Sequence, residues 1–83
     1  MNLDAEKFLM NIFLNSVNYQ IWLPDQIDEL CNRCGVAEKQ IYATLYKWSN
    51  KGYIDYGTSV RGAWLTDLGI EKFNEVISNY VPK

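Results

Sequence analysis

One spacing in this 83-residue chain belongs to metal or thiol chemistry, Cys31-Asn32-Arg33-Cys34. A zinc site needs two further ligands, and the sequence has no His and no third Cys. A redox pair of this spacing sits at the start of a helix in a βαβ setting. Here the pair falls at a helix end, on the same side as Ile27 and Leu30. The expected role is therefore two small core residues in a reducing compartment, with a zinc shared between two copies as the alternative. The absence of His also removes His-based nucleophile activation. Asp67 and Glu71 form a carboxylate pair at i, i+4 on a helix surface without a pocket. No phosphate-binding glycine loop and no nucleophile motif occurs. The expectation is a protein that is not an enzyme and carries no cofactor and no metal.

The elements that would position these residues follow from composition and periodicity. With 48% hydrophobic and 14% aromatic residues and a net charge of −2, the chain is too apolar for disorder. Its length suits a single domain over residues 1–83. No apolar run reaches the roughly 20 residues of a membrane span, and the acidic start is unlike a secretory leader. The expected location is the cytoplasm, with no membrane partner. Net charge hides an uneven distribution: residues 1–30 carry −4, residues 31–64 carry +3 and residues 65–83 carry −1. A basic middle between acidic ends is what a nucleic-acid backbone would sense.

Asp4 to Ser16 reads as a helix capped by Asp4, with Leu3 and Phe8 as a hydrophobic staple and Leu9, Ile12, Phe13 and Val17 inward. Tyr19-Gln20-Ile21-Trp22 reads as a short strand. Pro24 opens a second helix that Gly35 closes. A third helix spans Ala37 to Asn50 on an inward line of Ile41, Leu45 and Trp48. Tyr53 to Tyr56 and Ala63 to Leu65 alternate as strands around a loop from Gly57 to Gly62. Thr66 caps a last helix, which Pro82 stops. In the strands, Tyr53 and Trp64 form an outward aromatic spot unless the first or last helix buries them.

This order resembles the winged helix-turn-helix superfamily, nearest to small bacterial MarR-, PadR- and ArsR-like regulators. The resemblance covers roughly residues 19–73. It rests on Glu29-Leu30-Cys31 through Cys34-Gly35-Val36, on Gln40-Ile41 through Leu45 with Trp48 to Ile54, and on Leu65-Thr66-Asp67-Leu68-Gly69. Ala37 departs from the Ser or Thr common at the start of the reading helix. The resemblance implies an α+β winged helix-turn-helix fold: a three-helix core, a hairpin wing and a C-terminal helix. It also implies a regulator that binds double-stranded DNA.

On that reading Lys39 and Lys47 contact phosphate, Gln40 pairs bidentately with adenine, and Ala43 touches a thymine methyl. Tyr42 and Tyr46 donate to phosphate or pack on sugar, and Arg61 at the wing tip enters a minor groove or meets phosphate. A homodimer would set two reading helices about one DNA turn apart. Its expected interface is the wide stripes of the terminal helices: Leu9 and Phe13 on the first, Phe73, Val76, Ile77 and Tyr80 on the last. The alternative is a winged helix that docks another protein instead of DNA, to which the acidic total and surface aromatics point.

Overall fold

The computed structural model describes residues 2–56 and 62–79. Its order is α1 (Leu3–Asn15), a 3-10 turn (Val17–Tyr19), β1 (Gln20–Trp22), α2 (Pro24–Cys34), α3 (Glu38–Asn50), β2 (Ile54–Tyr56), β3 (Gly62–Leu65) and α4 (Asp67–Ser78). The class is α+β: four helices and a three-stranded antiparallel sheet in the order β1-β3-β2. The central strand pairs Ala63 with Ile21 on one side and Tyr56 on the other, and Trp64 with Gln20 and Asp55.

Two starts differ from expectation. The cap of α1 is Asn2, whose Oδ1 accepts the Ala5 N–H at 2.8 Å, and Asp4 stands in the first turn. Both residues suit a cap, so residue type alone does not choose between them. The first strand begins at Gln20 because Asn18 and Tyr19 both have φ of 55°. Such left-handed backbone, uncommon outside glycine, turns the chain out of α1 and cannot belong to a strand.

The core is built around Phe73. Its ring lies 4.8 Å from Trp48, 6.1 Å from Tyr53 and 6.2 Å from Phe13, all edge-on. Edge-to-face pairs of this kind stabilise by about 0.5–1.5 kcal/mol beyond area burial. Leu9, Leu23, Leu30, Ile41 and Leu45 are the other large side chains that are fully buried. Leu9, Phe13 and Phe73 are therefore corrected from interface to core: they have no surface left for a second copy. Tyr53 is likewise no part of an outward aromatic spot, since its ring packs on α4, and Trp64 is only half-exposed.

A second lock joins two turns. Gly52 (φ 79°) ends α3, and the Tyr53 N–H donates to the Trp48 carbonyl at 2.9 Å. The Thr66 hydroxyl donates to the Gly52 carbonyl at 2.5 Å and accepts the Gly69 N–H at 3.1 Å. The Thr66 N–H donates to the Tyr53 carbonyl at 3.0 Å. Gly69 faces that same carbonyl so closely that a β-carbon there would lie 1.8 Å from its oxygen. Thr66 thus caps α4 and bolts it to the end of α3.

Gly69→Ala should force α4 off this turn and cost about 2–4 kcal/mol, read from urea unfolding. An unchanged unfolding midpoint would contradict the close approach. Burial also pushes the Tyr56 phenol above its ordinary pKa. The folded chain holds that proton more tightly than the unfolded one, so stability should fall as pH rises through about 10. Tyr56→Phe should lessen that alkaline loss in melting curves recorded across this range.

Candidate nucleic-acid interface

The third helix divides into an anchoring face and a solvent face. Ile41, Thr44, Leu45 and Trp48 are buried and fix it to the core. Lys39, Ala43, Tyr46 and Asn50 follow one another at spacings of four, three and four, which places them in one row on the helix. The row is open at Lys39, Tyr46 and Asn50, and Ala43 is exposed between them. Tyr46 is 66% exposed, a large aromatic with most of its surface in water. Lys51 follows, exposed, at the C-cap.

The start of this helix is held by half of a capping box. Ala37 is extended (φ −82°, ψ 149°) and has no side-chain acceptor to offer the first turn. Its own N–H donates to Gln40 Oε1 at 3.0 Å. Bidentate pairing with adenine needs that same oxygen together with the amide nitrogen, so base reading by Gln40 competes with the cap.

The remaining expected contacts divide. Lys39 and Ala43 stand on the row with Tyr46. Tyr42 is half-buried and packs against the core, which turns it away from the row. Lys47 is exposed, but its ammonium pairs with Glu6 of α1 at 2.5 Å. Arg61 and Tyr80 lie outside the described residues. Val76 and Ile77 are half-buried on α4. Two participants carried no readable signal: Asn50, which extends the row, and Glu6, 41 positions before its partner.

Surface hollows lie around this frame among the described residues. One of about 260 Å³ lies between α1 and α4, lined by Asp4, Lys7, Phe8, Asn11 and Ile77. A second, of about 430 Å³, reaches from α1 to Arg33 and Cys34 at the end of α2. A third, of about 410 Å³, lies against β1 beside Val17, Trp22 and Gly62. Cys31 and Cys34 are free thiols, half-buried against the core. Among the described residues no three His, Cys, Asp or Glu side chains gather as a metal site requires, and no helix is long and apolar enough to cross a membrane.

Ala37→Ser supplies the missing half of the capping box. It should raise stability by about 1 kcal/mol, and Gln40→Ala should lower it by a similar amount. Urea midpoints that move together in one direction would contradict this view of the α3 start. The chain matches no family model, no curated protein and no solved structure.

Proposed function

We propose that the chain is a winged-helix protein that binds double-stranded DNA, with α3 as the reading helix and the β2–β3 hairpin as the wing, and that it acts as a dimeric transcriptional regulator in the cytoplasm. The observation that carries this reading is the row Lys39, Ala43, Tyr46 and Asn50 on a helix whose opposite face is wholly committed to the core. A helix held in this way can enter a major groove without unfolding anything behind it. The residue types suit such an entry. Lys39 and Lys51 bracket the row with positive charge for phosphate, and Ala43 is small enough for bases to approach. Tyr46 and Asn50 supply hydrogen-bonding groups between them.

The helix order supports the same reading. Gly35, left-handed at φ 63°, closes α2, and only Val36 and Ala37 separate it from α3. A connection this short suits a helix-turn-helix. Dimerisation would use Ile77 of α4 and Phe8 of α1, which line the hollow between the two helices, together with the half-buried Val76. Leu9, Phe13 and Phe73 lie in the core beneath these helices.

A second reading is a docking module for another protein. It is favoured by Val17, 84% exposed, and Trp22, 51% exposed, beside the hollow at β1.

The readings separate in a titration of random-sequence duplex at several salt concentrations, run beside sedimentation. DNA binding predicts an affinity that falls steeply with salt, and a dimer on the duplex. Lys39→Ala should flatten the log–log slope by about 0.9 per chain. Tyr46→Ala should weaken binding about tenfold with little change in slope, since it removes a contact that releases no counterion. A monomer with no measurable affinity at low salt would overturn the DNA reading and leave protein docking.

A further inference from the structure

Glu6 and Lys47 form the ion pair that joins α1 to the reading helix, with Lys47 Nζ 2.5 Å from Glu6 Oε1. The side chains are unequally covered: Glu6 is 15% exposed and Lys47 50%. The Glu6 side chain is thus mostly covered by protein, whereas that of Lys47 is half open to solvent, one residue after Tyr46 of the exposed row. An ordinary surface pair exchanges readily with water. Here Lys47 can turn to a phosphate only by leaving the Glu6 carboxylate unpaired, and a phosphate brought to Nζ in place would meet the Glu6 charge as well.

We infer that Glu6 sets the DNA affinity of the α3 face by holding the Lys47 ammonium out of the phosphate contact. This rests on the DNA-binding reading above. Glu6 itself touches no DNA; it is a positioning residue that acts through Lys47. Its effect is on the contact that every DNA sequence offers equally. Withholding one cation per chain lowers affinity for all sequences by the same factor and leaves the choice of site to the remaining contacts of the row. The acidic first helix thereby sets how tightly the α3 face binds, not which site it prefers. A purely structural role for the pair has the opposite signature: if Glu6 only anchors α3 to α1, removing its charge loosens the reading helix and weakens binding.

The test uses the full chain with Glu6→Gln, Lys47→Gln and the double variant, titrated on fluorescently labelled random-sequence duplex between about 50 and 200 mM KCl, where one phosphate contact changes affinity several-fold. Glu6→Gln should bind about three- to tenfold more tightly at the low-salt end, with a slope steeper by about 0.9 per chain. The double variant, which removes both charges, should match the parent in affinity and slope, and Lys47→Gln alone, which leaves the Glu6 carboxylate unpaired, should bind more weakly than the double variant. Melting curves check that each variant is folded. If the parent chain binds duplex but Glu6→Gln is unchanged or weaker, the inference fails and the DNA reading stands. If the double variant has a flatter slope than the parent, Lys47 already contacts phosphate and the inference fails, a result that holds even where Glu6→Gln alone does not fold. If neither the parent nor Glu6→Gln binds duplex at the lowest salt, both the inference and the DNA reading fall.

Discussion

The carbonyl oxygen of Tyr53 occupies the space where any residue at position 69 except glycine would place its β-carbon. That oxygen also accepts the Thr66 N–H, while the Thr66 hydroxyl caps α4 and reaches the neighbouring Gly52 carbonyl. Two chain reversals, the end of α3 and the start of α4, are thus closed by one threonine and one glycine. Once they are closed, Phe73 has little choice of position: one helical turn beyond Gly69, it falls between Trp48 and Phe13. The aromatic cluster and the turn lock support each other. The direction of α3 relative to the sheet follows from both.

This constraint allows α3 to present a face at all. A 13-residue helix has few side chains, and here four are buried in the core. Gln40 secures the first turn and Lys47 pairs with α1, so the surface left for a partner narrows to Glu38, the row from Lys39 to Asn50 and Lys51 beyond it. The charge on that surface is small. The proposed DNA contact therefore relies on two chains acting together and on base-edge contacts more than on a dense cationic patch.

Much of the frame was legible in the residues. Pro24 and Gly35 bound α2 because ring closure fixes φ at a helix start and glycine accepts left-handed φ at a helix end. Periodicity identified Ile41, Leu45 and Trp48 as the inner line of α3, and each is buried. What periodicity cannot give is depth. Leu9, Phe13, Phe73, Val76 and Ile77 share apolar stripes, yet the first three are sealed inside one chain while the other two stay at its surface. Local pattern was equally silent on the left-handed pair Asn18–Tyr19, on Gln40 turning back to Ala37, and on Glu6 meeting Lys47. These depend on how distant segments are brought together or on which of several local hydrogen bonds wins, and residue type in a short window decides neither. The Leu65-Thr66-Asp67-Leu68-Gly69 run is conspicuous in the sequence, but its cause, the Tyr53 carbonyl, is visible only in the fold.

The central claim is that the solvent face of α3 is the surface that meets DNA. Backbone amide shifts of the isotopically labelled chain, followed while duplex is added, test it residue by residue. If α3 is the contact surface, the largest changes fall on Lys39, Ala43, Tyr46, Asn50 and Lys51, with the buried line of Ile41, Leu45 and Trp48 little affected. Changes confined to Val17 through Trp22, or none at saturating duplex, would contradict it.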